Sequence, residues 1–330
     1  MSVPREVLIV RLGAIGDVTN ALCVAKALKA LPTPPKIGWV VHDLAAPLLE
    51  NNPLVDRVHL WPRRLGLGGL RGCLASVRAE SYELAIDLQR IFKSAAFARF
   101  AGTGRVLGWD RARAKEGAWL LASERLAAGH EDVHMVDSYG EFARHLGAEP
   151  CGPKGVLALD PAATEFWLAE AQGWHGPAVV INLGASKAPN RWPAERFGSV
   201  AAKLCEDGYQ VLFTGGPDDR AAARDAHAIA GPGAIDLTGK TSLPELAALL
   251  NQARLFVGCD TGPMHMAVAM GCRVLALFGP ANPLRTGPYG SAPGCRVLQH
   301  TGAPGGWRAA QTTRITEAEV LEAARMMLTP

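Results

Sequence analysis

Short apolar runs alternate with longer amphipathic segments along most of the chain. The runs that predict strands are residues 6–10, 37–41, 55–60, 84–88, 105–108, 178–183, 210–213, 255–257 and 274–278. Apolar runs of this length, bounded by turn residues, are typical of buried strands. Apolar residues at helical spacing follow the first run, at Leu22, Ala25 and Leu28, and helices are also predicted over 133–146, 164–172, 244–251 and 316–328. The alternation predicts an α/β fold with doubly wound, parallel sheets.

A segment rich in proline and glycine, E-P-C-G-P-K-G at 149–155, interrupts this pattern near the middle of the chain. Such a composition is typical of a boundary between domains. We therefore predict two domains, 1–153 and 154–330. A chain of 330 residues with 48% apolar composition suffices for two hydrophobic cores. Residues 279–306 are also rich in proline and glycine, and they are predicted to form a loop.

A polar turn between the strands at 255–257 and 274–278 has the outline of a phosphate site. Gly258 lets the backbone leave the sheet, and Asp260 or Thr261 is placed to cap the short helix that follows. Backbone N–H groups and the helix dipole at such a helix start favour an anion. An ordinary capped helix uses the same groups, so both interpretations stay open. His265, about one turn into the helix, is either a core histidine or a donor to the anion.

Two further loops of the second half follow predicted strands and carry polar or charged residues. The candidate phosphate and ribose contacts in them are Ser186, Lys187, Arg191, Gly215 and either Asp218 or Asp219. Hydroxyl and cationic side chains hold phosphate oxygens, and carboxylates hydrogen-bond ribose hydroxyls. The alternative is a capped loop and two acids placed at a helix start because of the dipole.

An acidic residue, Asp17, lies in the glycine turn R-L-G-A-I-G-D that follows the first strand. Gly13 and Gly16 are three residues apart, which falls short of the full dinucleotide-binding fingerprint. On this pattern alone, Asp17 is best interpreted as an acid at a helix start, stabilised by the helix dipole. Asp43, which follows the second predicted strand, leaves a nicotinamide-dependent oxidoreductase as an alternative.

Composition and charge exclude several classes of protein. The formal net charge is +3, and no long basic run is present, which argues against nucleic-acid binding. Seven cysteines without a C-x-x-C pair argue against a disulfide framework or a zinc site and favour a reducing compartment. Neither a signal peptide nor a run of about 20 apolar residues is found. We therefore expect a cytoplasmic protein.

Basic residues are frequent in the loops of the first half. Those that we select as contacts for an anionic partner are Arg63, Arg64, Arg111 and Arg113. Cations that collect in loops at strand ends favour an anionic ligand, although a single surface cation is usually only solvated.

The sequence motifs taken together resemble those of a known family. They are R-L-G-A-I-G-D, D-L-Q, H-M-V-D, N-R-W-P-A-E-R-F, F-T-G-G-P, D-L-T-G-K-T-S-L-P-E-L, G-C-D-T-G-P-M-H-M-A, L-F-G-P and P-Y-G. This set closely resembles glycosyltransferase family 9, the lipopolysaccharide heptosyltransferases, nearly from end to end. The block D-T-G-P-M-H with the downstream L-F-G-P is the most specific part of the match.

The resemblance implies a GT-B fold, in which two Rossmann-like domains face each other across a cleft. It implies an inverting transfer of L-glycero-D-manno-heptose from ADP-heptose to the inner core of lipopolysaccharide, with the acceptor on the first domain and the donor on the second. The C-terminal helix is then a candidate to pack back on the first domain. The resemblance also implies an anionic lipid-linked acceptor and peripheral contact with the cytoplasmic face of the inner membrane.

Site residues follow from the same resemblance. Asp17 matches the general base of the family, and Asp260, Thr261, Gly262 and His265 match residues that hold the donor diphosphate and heptose. We expect neither a cofactor nor a metal, since the mechanism requires none and no D-x-D pair is present.

Two positions depart from the family pattern. Asn190 stands where the family commonly has a lysine, so Lys187 or Arg191 is needed to supply that charge. Cys259 stands where the family often has asparagine, and we interpret it as a packing residue. A transferase for another nucleotide sugar, an oxidoreductase and a non-catalytic sugar-nucleotide binding protein remain the alternatives.

Overall fold

The computed structural model describes residues 4–185, 187–290, 294–301 and 306–329. The chain divides into two compact units, 1–158 and 159–330. This division lies a few residues beyond the proline- and glycine-rich segment at which the sequence placed the domain boundary.

The first unit is a parallel six-stranded sheet with helices on its faces. Its elements are β1 (Glu6–Val10), α1 (Ile15–Lys29), β2 (Lys36–Val41), β3 (Arg57–Leu60), α2 (Gly66–Arg78), β4 (Leu84–Asp87), α3 (Phe92–Phe100), β5 (Arg105–Gly108), β6 (Glu124–Arg125) and α4 (Met135–His145). The strand order is β3-β2-β1-β4-β5-β6, and every pairing is parallel. The chain therefore reverses its winding between β1 and β4, which opens a crevice at the carboxyl ends of these strands.

The second unit repeats this architecture. Its elements are α5 (Pro161–Glu170), β7 (Ala178–Asn182), α6 (Ala194–Glu206), β8 (Gln210–Thr214), α7 (Arg220–Ala230), β9 (Ala234–Asp236), α8 (Leu243–Gln252), β10 (Leu255–Cys259), α9 (Gly262–Met270), β11 (Val274–Leu277), α10 (Pro283–Thr286), β12 (Cys295–Leu298) and α11 (Glu317–Leu328). The order β12-β11-β10-β7-β8-β9 is again parallel and reverses its winding between β7 and β10.

Hydrophobic burial explains why the central strands read as continuous apolar runs. Val7, Leu8, Ile9 and Val10 of β1 are fully buried, because helices cover both faces of a parallel sheet. The same holds for β7 and β10 in the second unit. The last helix, α11, contributes to the core of the second unit, where Val320 and its apolar neighbours are buried.

The structure corrects the prediction of a loop over 279–306. The described part of this segment contains the short helix α10 and the edge strand β12, which pairs with β11. Strand β12 is only four residues long, carries Arg296 and is partly exposed, so it lacks the apolar run by which the central strands were recognised. Helices α2 and α3 were also not predicted from the sequence.

Candidate active site

A cavity of about 380 Å³ lies in the first unit, where the winding of its sheet reverses. It is lined by Leu12, Gly13, Ala14, Ile15 and Asp17 after β1, His42, Leu44 and Ala45 after β2, Arg63 after β3, and Gln89, Ile91 and Lys93 after β4. We call it the acceptor cavity, after the role that the sequence resemblance predicts for the first domain. Ligands of doubly wound proteins bind in this position, because the loops on either side of the reversal diverge.

Asp17 enters this cavity from the first turn of α1. Its Oδ2 atom lies 2.5 Å from Arg11 Nη2 and accepts a hydrogen bond from the Ala14 backbone N–H at 3.2 Å. The Asp17 side chain is 41% exposed, whereas Arg11 is buried. The carboxylate is thus held in place through one oxygen while it still faces the cavity.

Buried polar contacts hold the loops beneath Asp17 in place. Arg11 Nη1 donates to the Leu88 carbonyl oxygen at 3.1 Å, and the Leu12 N–H donates to Gln89 Oε1 at 2.9 Å. These two hydrogen bonds join the loop after β1 to the loop after β4. Burial raises the pKa of the nearby Asp87 carboxyl to about 6. A negative charge is therefore unfavourable in this buried region, and the Arg11 guanidinium offsets part of its free-energy cost.

Two cations, Arg63 and Lys93, line the acceptor cavity. Burial, together with the nearby Arg63, lowers the pKa of Lys93. The pKa of His42 is lowered by burial and by the charges of Lys93 and Arg63, while its Nδ1–H donates to the Trp61 carbonyl oxygen at 2.6 Å. Positive charges crowded to this degree favour an anionic ligand, which would relieve their repulsion.

The other predicted acceptor contacts have different surroundings. Arg64 is exposed on the short turn Arg63–Leu65. Arg111 stacks on the ring of Trp119, with its Cζ 5.1 Å from the ring centroid.

The structure corrects the prediction that Arg113 contacts the acceptor. Its side chain is only 1% exposed, and its guanidinium is bound by Asp110 at 2.5 Å and by both carboxylate oxygens of Glu141. A guanidinium enclosed in this way holds loops together and has no open side for an acceptor, so we remove Arg113 from the acceptor site.

In the second unit, α9 begins directly after β10, beside the reversal of the sheet. Thr261 occupies the N-cap position, but its hydroxyl donates to the Cys259 carbonyl oxygen at 3.3 Å instead of capping the helix. His265 Nε2 lies 3.9 Å from Asp260 Oδ1, so the structure brings these two predicted residues together. A helix start of this kind presents backbone N–H groups to an anion.

The loops after β7 and β8 meet at Asp219. Its Oδ2 atom accepts a hydrogen bond from the Gly216 N–H at 2.9 Å, and its Oδ1 atom lies 3.4 Å from Arg191 Nη2. A Cβ at Gly184 would approach Asp219 Oδ2 to 2.5 Å, so the close approach of the two loops at this point requires a glycine. A Cβ at Gly215 would lie 3.0 Å from the Asp219 Cβ.

Both residues that depart from the family pattern, Asn190 and Cys259, are buried. Asn190 is buried in contact with Gly279, whereas the neighbouring Arg191 is 46% exposed and donates through Nε to the Ala185 carbonyl oxygen at 3.0 Å. Burial raises the pKa of the Cys259 thiol to about 12, which keeps it protonated and unreactive. Lys187 is exposed, and Ser186 lies outside the described residues.

Comparisons with known proteins identify the family of this chain. The profile of glycosyltransferase family 9 (heptosyltransferase) matches residues 72–304. This chain belongs to glycosyltransferase family 9. The chain is 31% identical to lipopolysaccharide heptosyltransferase 1 of Pseudomonas aeruginosa over 86% of its length and 81% of that protein. It is 25% identical to the lipopolysaccharide core heptosyltransferase OpsX of Haemophilus influenzae, over 87% and 82% of the two chains.

A solved heptosyltransferase structure confirms the fold class. The E. coli heptosyltransferase WaaC with ADP superposes with a TM-score of 0.81 at 24% identity, covering 98% of this chain and 99% of that one. The two Rossmann-like units therefore form a GT-B fold, as the sequence predicted. Among the described residues, no helix is long and apolar enough to cross a membrane, and no group of His, Cys, Asp and Glu side chains is arranged to hold a metal ion.

Three polar side chains of the acceptor cavity were not selected as site residues from the sequence. His42, Gln89 and Lys93 follow β2 and β4, and only the parallel pairing of these strands with β1 brings them to Asp17. The available signal was their position: each lies one to five residues beyond the end of a predicted strand of the same sheet.

Proposed function

We propose that this protein transfers L-glycero-D-manno-heptose from ADP-heptose to the inner core of lipopolysaccharide, onto Kdo-lipid A or the heptosylated core, with inversion. It acts without a metal, at the cytoplasmic face of the inner membrane and in peripheral contact with it. The observation that carries the proposal is the carboxylate of Asp17, half exposed in a cavity that Arg63 and Lys93 also line. The names of its family 9 relatives support the choice of sugar and acceptor.

Asp17 is the general base in this proposal. A sugar hydroxyl is a poor nucleophile, so a carboxylate must accept its proton as the oxygen attacks the anomeric carbon. Arg11 and the Ala14 N–H hold Oδ2, which leaves Oδ1 to accept the proton. The new glycosidic bond forms as the bond from the anomeric carbon to the diphosphate breaks, and ADP departs with the electron pair.

The second unit holds the donor in this proposal. Negative charge grows on the diphosphate as it departs, and the N–H groups at the start of α9, at Gly262, stabilise that charge. Asp260 and His265 contact the heptose, and Asp219 hydrogen-bonds the ribose from the turn that Gly215 opens. Arg191 supplies the charge of the missing family lysine, because its guanidinium is anchored beside Asp219.

Positive charge at the acceptor cavity suits an anionic saccharide. Arg63 and Lys93 line the cavity, with Arg64 exposed on the same turn as Arg63. Arg111 remains a candidate for an outer contact. Cations in a partly desolvated mouth attract and orient carboxylate or phosphate groups of the acceptor.

The proposal is tested by replacing Asp17 with asparagine. The amide oxygen still accepts from the Ala14 N–H, but it cannot take a proton, so we expect turnover with ADP-heptose and Kdo-lipid A to fall about a hundredfold or more. Binding of ADP-heptose, measured by calorimetry, should not change.

A matched control separates catalysis from helix stability. Glu195 is an exposed acid in the first turn of α6, so Glu195→Ala removes a comparable interaction with a helix dipole. We expect this variant to retain full turnover. Wild-type turnover by Asp17→Asn would remove Asp17 from the mechanism.

A further inference from the structure

A second cavity, of about 610 Å³, lies between α2 and α3 of the first unit. Leu67, Leu70 and Leu74 of α2 form one wall, and Phe92, Ala96 and Phe100 of α3 form the other. We call it the apolar cavity. Its volume lies within the range of small-molecule sites, about 300–1,000 Å³.

Large side chains remain exposed at the lips of this cavity. Leu67 is 74% exposed, Phe100 is 61% exposed and Phe92 is 52% exposed. A cluster of exposed apolar residues marks a binding surface, because water on such a surface is costly and a ligand removes the cost. The residues line a concave space, which admits a chain-like apolar group.

The apolar cavity adjoins the acceptor cavity. Arg63 and Lys93 line both of them, and Lys93 Nζ lies 4.3 Å from the centroid of the Trp61 ring, which belongs to the apolar wall. A ligand that spans the two must therefore be apolar at one end and anionic near the junction. An acylated, negatively charged glycolipid has this chemistry.

We propose that the apolar cavity binds one acyl chain of the lipid-linked acceptor, while Arg63 and Lys93 contact the anionic group at the junction of chain and saccharide. The inference rests on the proposed function and adds the lipid portion to the substrate that the protein recognises. The acyl chain is an anchor: it contributes to binding of the acceptor and takes no part in the transfer of the proton or the sugar.

Acceptors with and without acyl chains test this inference. Ala96→Trp fills the cavity from α3, and Leu67→Asp places a charge at its lip. For acylated Kdo-lipid A at constant detergent concentration, we expect each variant to raise the acceptor KM about tenfold with kcat unchanged. A contact that is equally strong in the bound substrate and in the transition state affects KM alone when it is lost. For the fully deacylated acceptor, KM should stay at the wild-type value.

Leu120→Asp is the matched control, since Leu120 is 67% exposed in the same unit and does not line the apolar cavity. It should behave as wild type with both acceptors. Equal KM changes for both acceptors, or none for the acylated one, would overturn the inference. The inference would also be overturned if Ala96→Trp no longer bound anionic phospholipid vesicles that contain no acceptor. The apolar cavity would then contact the bilayer itself. If the wild type transfers heptose to neither acceptor, the proposed function fails instead.

Discussion

At the residue scale, the sites depend on charges that are oriented by buried partners. The buried Arg11 orients Asp17 through an ion pair, and Asp219 orients Arg191 in the same way. In both cases one member of the pair is buried and the other is partly exposed. A buried partner limits the rotamers of the exposed one, and this lowers the entropy lost when a substrate binds.

The role of Arg191 predicts a difference between two neighbouring cations. Arg191→Ala removes a charge-assisted contact to the diphosphate and should weaken ADP-heptose binding about tenfold or more. Lys187→Ala removes an exposed, flexible charge and should weaken binding about twofold or less. Calorimetric titration of both variants with ADP-heptose checks this. The reverse order of effects would assign the missing family lysine to Lys187.

At the element scale, helix α2 is unusual because four of its first seven residues are glycines, at positions 66, 68, 69 and 72. Glycine lowers the stability of a helix interior, because it loses more backbone freedom on folding than any other residue. Apolar residues of this helix form a wall of the apolar cavity. Its glycine content also explains why the sequence did not predict it as a helix.

Two substitutions in α2 are expected to act in opposite directions. A Cβ at Gly72 would meet no heavy atom within 4 Å among the described residues, so Gly72→Ala should stabilise the protein by about 0.5–1 kcal/mol. A Cβ at Gly69 would lie 2.8 Å from the Pro62 carbonyl oxygen, so Gly69→Ala should destabilise it by about 1–3 kcal/mol. Midpoints of urea unfolding measure both changes. Equal shifts would show that the close approach of residue 69 to Pro62 is relieved without cost.

At the scale of the whole molecule, the same doubly wound architecture occurs twice with different chemistry at its crevices. The first unit has a carboxylate among cations, which suits proton transfer from an anionic acceptor. The second has a helix start and glycine turns, which suit a diphosphate. The repeated strand order explains how one fold provides two crevices, and the loops determine what each crevice binds.

Ligand-induced stabilisation of the whole protein should identify the donor. A ligand that binds only the folded state stabilises it by about 2.7 kcal/mol at a hundredfold excess over its Kd. We expect ADP-heptose to raise the melting temperature more than UDP- or GDP-sugars at equal concentration. A larger shift of the melting temperature with a UDP- or GDP-sugar would identify that sugar as the donor instead of ADP-heptose. A larger shift with NAD would favour an oxidoreductase.

Much of the architecture was predictable from local sequence patterns. The strand at 105–108 and the helix at 244–251 were predicted and are observed, and Ser242 with Glu245 caps this helix. Both signals involve residues close in the chain: an apolar run, and a cap residue three positions before its partner. The edge strand β12 could not be predicted, because its stability comes from pairing with β11 and not from its own composition.

The sequence by itself determined the alternation of strands and helices, the two winding units and the motif that carries Asp17, since these depend on periodicity and short-range turn chemistry. Only the tertiary structure decided which cations meet. It brought Lys93 to Arg63 and enclosed Arg113 between two carboxylates. The physical reason is that a charge acts on the groups within a few ångströms of it, and those groups come from strands far apart in the chain.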